Sequence, residues 1–132
     1  YKVTGVQTCA LPIFACLLMA ELVAVERRSL GAVLAELAAK AGEFHTGRIN
    51  VAVPAERKEA LLGRLAMGMD RLAGKPVREF ITKDGFKFVL PDDEWVAFRA
   101  SGTEPLVRCY LEAKSKAGLR KLANAARLLL SS

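Results

Sequence analysis

The sequence predicts an α+β protein. Residues 43–132 read as a two-layer domain with a mostly antiparallel sheet of four to five strands and two helices on one face, preceded by two helices from a truncated neighbouring domain. Three observations predict this. Apolar residues recur at helical spacing in two Ala- and Leu-rich stretches before residue 42 and in two later stretches, whereas the segments between are short and strand-like. Turn signals such as Asp84-Gly85 and Pro91-Asp92-Asp93 separate those short runs and leave no room for crossover helices, so the strands pair antiparallel. The order strand, helix, run of strands, helix then puts both helices of the domain on one face.

The elements follow in chain order. Residues 14–28 form a helix, with Leu18, Leu22 and Val25 at i, i+4, i+7 and neither Gly nor Pro inside. Ser29 is the N-cap of a second helix that turns Leu30, Val33, Leu34 and Leu37 inward and ends at Gly42. Both helices carry little polar surface, so without the sheet they would cover they expose an apolar face. Ile49, Val51 and Val53 alternate with polar or small residues, as in a half-buried strand. Pro54 sits at a helix start, where its missing N–H costs nothing. Leu61, Leu65, Met69 and Leu72 continue as one helical stripe that Gly74 ends. Residues 77–82, 86–90 and 95–99 are the next strands, the first two joined by Asp84-Gly85. Residues 107–113 add another strand, with Val107, Cys109 and Leu111 on one face and Arg108, Tyr110 and Glu112 on the other. The last helix runs over residues 116–130, with Leu119, Leu122, Ala126 and Leu129 inward and Lys116, Arg120, Lys121 and Arg127 outward.

Residues 1–13 are expected to stand outside the fold. Val3-Thr4-Gly5-Val6-Gln7-Thr8-Cys9-Ala10-Leu11-Pro12-Ile13 resembles the conceptual translation of a common short-read sequencing adapter, and the chain has no initiator Met. A secretory signal or membrane anchor over residues 3–25 is the weaker alternative. Gln7 and Thr8 interrupt its apolar run, Pro12 sits in the middle, and Lys2 is its only basic residue.

A chain with 52% hydrophobic and 26% charged residues is a folded globular one. Beyond the adapter-like stretch, Cys16 and Cys109 are isolated, which reads as two buried, reduced thiols in a cytoplasmic protein and not as a disulfide framework or metal site. The net charge of +6 raises the question of nucleic acid. The basic residues are spread along the chain, however, and the nearby aromatics Trp95 and Tyr110 fall within strands. The sequence therefore favours a solvated basic surface suited to anionic substrates, with neither a nucleic-acid nor a membrane partner.

The candidate site is the run Arg99-Ala100-Ser101-Gly102-Thr103-Glu104-Pro105, with Arg108 three positions further on. It places two guanidiniums, two hydroxyls and a glycine between two strands. Arg presents a planar fork of donors to phosphate oxygens, and Ser101 and Thr103 donate to the remaining oxygens. Gly102 is expected to take a positive φ that turns successive N–H groups into one concavity. Taken without its flanks, the same run reads as an ordinary turn with Arg99 in a surface ion pair.

The flanks change that balance. The stretch Trp95-Val96-Ala97-Phe98-Arg99-Ala100-Ser101-Gly102-Thr103-Glu104-Pro105-Leu106-Val107-Arg108-Cys109-Tyr110-Leu111-Glu112-Ala113 resembles the C-terminal phosphate-binding segment of the α-D-phosphohexomutases, which include phosphoglucomutases, phosphomannomutases and phosphoglucosamine mutases. The resemblance extends over residues 14–130. It implies that residues 14–42 are the last helices of the family's third domain and residues 43–132 its fourth. It also implies that Arg99, Ser101, Gly102 and Thr103 hold the phosphate of a hexose phosphate substrate. Arg108 either reaches the same phosphate or pairs with Glu104 or Glu112 to brace the loop. Glu104 would repel the dianion unless turned away, so it is expected to accept hydrogen bonds that shape the loop.

Other candidates read as structure. The run Gly42-Glu43-Phe44-His45-Thr46-Gly47 superficially resembles the family's sugar-recognition loop but lies in the wrong place, so His45 is a surface or packing residue. Asp92, Asp93 and Glu94 form a solvated turn without regular ligand spacing. Trp95 is sheet packing, and Met67 and Met69 fill space on a helix.

The reaction implied by the resemblance moves a phosphoryl group between the 1 and 6 hydroxyls of a hexose through a phosphoserine on the enzyme. It needs a serine nucleophile loop, a loop for Mg²⁺ and a sugar loop, and none of these motifs is in this sequence. No catalytic and no metal-ligating residue is therefore assigned here. The chain reads as a phosphate-positioning part that is inactive alone, works with the remaining domains of its parent, and belongs with the phosphoglucomutase/phosphomannomutase members from bacteria. The alternative is a stand-alone phosphosugar-binding module without catalysis.

Overall fold

The computed structural model of the protein describes residues 5–131, with side chains described over residues 11–131. It divides into two units, Tyr1–Gly42 and Glu43–Ser132.

The first unit holds helices α1 (Gly5–Glu26) and α2 (Leu30–Ala41). Ser29 caps α2 as its sequence position predicts, its Oγ accepting the Ala32 N–H at 3.2 Å. Gly42 ends the helix with a φ of 89°, a conformation that favours glycine. Glu36 of α2 accepts from Arg28, in the turn between the helices, at 2.8 Å and from Lys40 of its own helix at 2.6 Å, and the Lys40 bond is the main reason its carboxyl titrates below the ordinary range. No side chain of α2 is buried, and Leu17, Leu18, Leu34 and Leu37 stay exposed, which bears out the expected unsatisfied apolar face. The start of α1 departs from expectation. The helix begins at Gly5 and takes in part of the adapter-like stretch, with Pro12 inside it. Pro12 forfeits one ladder donor without ending the helix. Residues 1–4, where that stretch begins, lie outside the described residues. Among the described residues no helix is long and apolar enough to cross a membrane.

The second unit contains β1 (His45–Ala52), α3 (Ala55–Ala66), β2 (Arg71–Leu72), β3 (Lys75–Pro76), β4 (Glu79–Ile81), β5 (Phe86–Val89), β6 (Trp95–Ala100), β7 (Leu106–Ala113) and α4 (Lys116–Ser131). Five strands form one sheet in the order β1-β7-β6-β5-β4, and every neighbouring pair is antiparallel. The pair β2-β3 is a separate small hairpin. One face of the sheet is the core. Val107, Cys109, Leu111 and Ala113 of β7, Val96 and Phe98 of β6 and Phe88 of β5 are buried there with Leu61 and Leu65 of α3 and Leu122, Ala126 and Leu130 of α4. Phe88 stacks on Phe80 at 4.7 Å and meets the edge of Phe98 at 6.0 Å, geometries aromatic pairs favour. This is the predicted two-layer α+β arrangement.

Three details differ from the sequence reading. Helix α3 stops at Ala66, although the apolar stripe continues in phase to Leu72. Gly68, at a φ of 74°, leaves the helical region, and Leu72 reaches the core from β2 instead. The core recruits Met69 and Leu72 from non-helical backbone, and their spacing matches a helix by coincidence. Ala73 (φ 52°) and Gly74 (φ 80°) then form the tip of the β2-β3 hairpin, as a two-residue turn with both central φ positive requires. The strand expected over residues 77–82 shrinks to Glu79–Ile81. Glu94 is buried and not solvated: it accepts from Lys75 at 2.6 Å and from the Lys114 N–H at 3.2 Å. Asp92 and Asp93 remain exposed as expected.

Gly85 shows why a glycine follows Asp84. Its φ is 106°, and a Cβ there would collide with the Phe98 carbonyl oxygen. Gly85→Ala should therefore cost about 1–3 kcal/mol through backbone strain alone, read as a lower denaturant midpoint at unchanged m-value. Cys109 supplies a second check. Burial pushes its thiol from 9.0 up to about 12. The folded form stays neutral where an unfolded thiol ionises, so this contribution to stability is complete below pH 9 and declines as pH rises towards 12. Cys109 is buried as expected, but Cys16 is exposed, because α1 keeps its apolar side chains uncovered. Iodoacetamide at pH 8 should therefore label Cys16 within minutes and spare Cys109 until the sheet unfolds.

Candidate functional site

The bend between β6 and β7 begins where their ladder ends. Ala100 faces Val107, and the next residue closes the base, Ser101 N–H donating to the Leu106 carbonyl at 3.0 Å. Two tight internal bonds shape residues 102–105. The Glu104 N–H donates to Ser101 Oγ at 3.3 Å, and the Leu106 N–H donates to the Glu104 carbonyl at 2.8 Å. The second bond is a three-residue turn centred on Pro105, whose ring holds φ near the value such a turn needs.

Three anchors tie the bend to the domain. The Val53 N–H donates to the Pro105 carbonyl at 2.9 Å, which extends β1 pairing by one residue. Lys58 of α3 donates from Nζ to the Ser101 carbonyl at 2.6 Å. Arg108 of β7 donates to Glu104 Oε2 at 3.0 Å. Lys58 and the Val53–Pro105 bond were not legible in the sequence. Lys58 stands between Arg57 and Glu59 near a helix start, where a solvated face is the ordinary reading, and its partner is 43 residues away.

The predicted residues lie together at the bend and the adjoining strand ends, and several have partners within the domain. Ser101 is only 5% exposed, and its hydroxyl oxygen is occupied by the Glu104 N–H, so it shapes the bend and keeps only its own O–H for a ligand. Gly102 does not take the expected positive φ. The bend reverses through the Ser101 hydroxyl and Pro105, so no left-handed residue is needed at this position. A Cβ there would meet no atom within 4 Å, so neither backbone angle nor packing within the domain demands glycine at this position. Neither the Gly102 nor the Thr103 N–H donates to any acceptor among the described residues. Glu104 accepts from Arg108 and shapes the loop as expected, and that pairing settles Arg108 into the brace in this structure.

Arg99 and Arg108 face each other directly across β6 and β7 on the sheet face away from the helices. Like charges in that register repel. Each is eased by a carboxylate, Arg108 by Glu104 at 3.0 Å and Arg99 more loosely by Asp84 at 3.5 Å. The Arg99–Asp84 pair is well exposed on both sides, and such pairs contribute little to stability. The row therefore carries two guanidiniums beside two free N–H groups and two hydroxyls, an arrangement that a dianion satisfies better than any neutral ligand. Further along the same face, Trp95 donates from Nε1 to Glu112 at 2.9 Å, and the Lys87 ammonium lies 4.4 Å from its ring centroid, so the tryptophan packs on the open face. His45 is half-buried at the start of β1, 3.7 Å from Glu43.

This two-layer α+β domain matches known proteins. A family profile described as "Phosphoglucomutase/phosphomannomutase, C-terminal domain" matches residues 49–129. The chain belongs to that family. It is 32% identical over 83 residues to a phosphopentomutase from Thermococcus kodakarensis, covering 63% of this chain and 18% of the relative. It is 41% identical over 64 residues to a phosphoglucomutase/phosphomannomutase of the same organism, covering 48% and 13%. A phosphoglucomutase from Komagataeibacter xylinus is 33% identical, covering 87% of this chain and 22% of the relative. The chain thus spans about a fifth of the length of the curated relatives it matches. In three dimensions it resembles a phosphoglucomutase/phosphomannomutase family protein from Burkholderia thailandensis with a TM-score of 0.50 at 23% identity, covering 67% of this chain and 18% of that one. This last likeness concerns the fold alone. The relatives include archaeal as well as bacterial proteins.

Replacing Glu104 tests the brace. Glu104→Gln should speed amide exchange at residues 102–104 several-fold, because the charge-assisted bond to Arg108 weakens. Overall stability should fall by under about 1 kcal/mol, as for other partly exposed pairs.

Proposed function

We propose that this chain is the phosphosugar-binding C-terminal part of a phosphohexomutase that interconverts hexose 1-phosphate and hexose 6-phosphate through a phosphoserine enzyme. The observation that carries the reading is the row at the end of β6 and β7. Two opposed arginines adjoin a bend whose Gly102 and Thr103 N–H groups have no protein acceptor among the described residues. Arg99, Ser101, Gly102 and Thr103 hold the phosphate on the substrate group that is not being transferred. Arg108, through Glu104, sets the shape of the bend.

The role is one of positioning. The bend is exposed apart from Ser101, so the chain contributes one wall of a cleft and other domains of the parent contribute the rest. Binding energy from a remote phosphate orients the substrate and can be used at the reacting centre. The resemblance implies Mg²⁺ for the parent. Among the described residues no group of three or more His, Cys, Asp or Glu side chains is placed to hold a metal ion. The chain's described residues do not fit that ion, and the reading derives no step through it.

Two measurements test this reading. Glucose 1-phosphate titrated into the ¹⁵N-labelled chain should shift the Gly102 and Thr103 amides, and Arg99→Ala should remove the shifts; wild-type spectra that do not respond would reject the site. In the parent enzyme Arg99→Ala should raise KM and lower kcat/KM for sugar phosphates, while the chain alone shows no turnover. Mutase activity of the isolated chain would overturn the division of labour.

A further inference from the structure

Among the described lysines, Lys58 alone donates to a backbone carbonyl, and the carbonyl it meets belongs to the bend. Its ammonium lies 2.6 Å from the Ser101 oxygen in a partly buried setting, and it has no carboxylate partner among the described residues. The helix that carries it is anchored, because Leu61 and Leu65, three and seven residues further along α3, are in the core.

We propose that Lys58 is a positioning residue of the phosphate site, acting through the Ser101–Gly102 peptide. The inference rests on the phosphate reading of the loop. A trans peptide directs its carbonyl and its N–H to opposite sides. Holding the Ser101 oxygen therefore fixes the direction of the Gly102 N–H. A cation on the carbonyl also polarises the amide and strengthens the N–H as a donor. Among the described residues no other hydrogen bond is made by the carbonyl or the N–H of this peptide. The Gly102 N–H has no acceptor among the described residues, and a Cβ there would meet no atom within 4 Å. Without Lys58 that peptide plane is free to turn, and the donor aimed at the anion is lost together with its orientation. Lys58 holds the carbonyl side of the peptide, opposite the Gly102 N–H, so its action on the anion is indirect.

The test uses the full chain, with inorganic phosphate and glucose 1-phosphate as probes. Lys58→Met should weaken binding of both by roughly tenfold or more, the loss expected for one charge-assisted hydrogen bond. It should also move the Gly102 amide resonance in the ligand-free protein and abolish its response to phosphate, while Thr103 still responds and the melting temperature stays within a few degrees of wild type. Lys58→Arg should restore binding and the Gly102 response. Lys58→Met with wild-type affinity would overturn the inference, and so would weakened binding with an unmoved ligand-free Gly102 resonance. Arg99→Ala run alongside separates the two failures. If it abolishes binding while Lys58→Met does not, only the role of Lys58 falls. If neither substitution changes binding, or the wild-type chain does not bind, the phosphate reading falls with it.

Discussion

Strand β7 is the constraint on which the rest of the domain depends. It lies between β1 and β6, so both of its edges are satisfied by backbone bonds. Its side chains alternate without a fault. Val107, Cys109, Leu111 and Ala113 are buried against the helices, and Arg108, Tyr110 and Glu112 project from the opposite face. A register slip of one residue would drive three polar side chains into the core and expose four small or apolar ones, so the register is strongly specified. Everything proposed for the bend follows from that register. It sets Arg99 opposite Arg108, and it closes the loop base at Ser101 and Leu106.

The bend combines rigidity in its frame with unfilled capacity at its tip. Its carbonyls at Ser101, Glu104 and Pro105 all have donors, from Lys58, Leu106 and Val53. Its N–H groups at Gly102 and Thr103 have none among the described residues. Three of the bend's carbonyls are thus held by the protein while two of its N–H groups keep their donor capacity among the described residues, a polarity that suits an anion. The two arginines reinforce this, because their repulsion is only partly relieved by Glu104 and Asp84. The chain spans about a fifth of its curated relatives, and in the proposed function it adds one wall to a cleft.

Much of the fold was legible because its signals are local. Strand β7 shows its two faces by strict alternation, Ser29 and Gly42 mark the ends of α2 through their own chemistry, and Asp84-Gly85 marks a hairpin. The errors share one cause. The stripe from Leu61 to Leu72 reads as a single helix because a core needs apolar residues at intervals whatever the backbone does. Gly68 breaks the helix at a point where periodicity continues. Glu94 reads as a solvated turn residue because its partners, Lys75 and Lys114, are about 20 residues away on either side. Gly102 reads as a left-handed turn residue because the Ser101 hydroxyl and the Pro105 turn cannot be seen to make the reversal instead.

The sequence by itself determined the class of fold and the strands that flank the candidate bend, since these rest on periodicity and on a contiguous motif. Only the tertiary structure decided which partners each residue of the bend has. It turned Arg108 to Glu104, buried Ser101 with its hydroxyl on the Glu104 N–H, left the Gly102 and Thr103 donors without an acceptor among the described residues and brought Lys58 of α3 to a carbonyl 43 residues on. Hydrogen-bond partners separated by such distances in the chain are chosen by packing and register, and neither is written in the spacing of neighbouring residues.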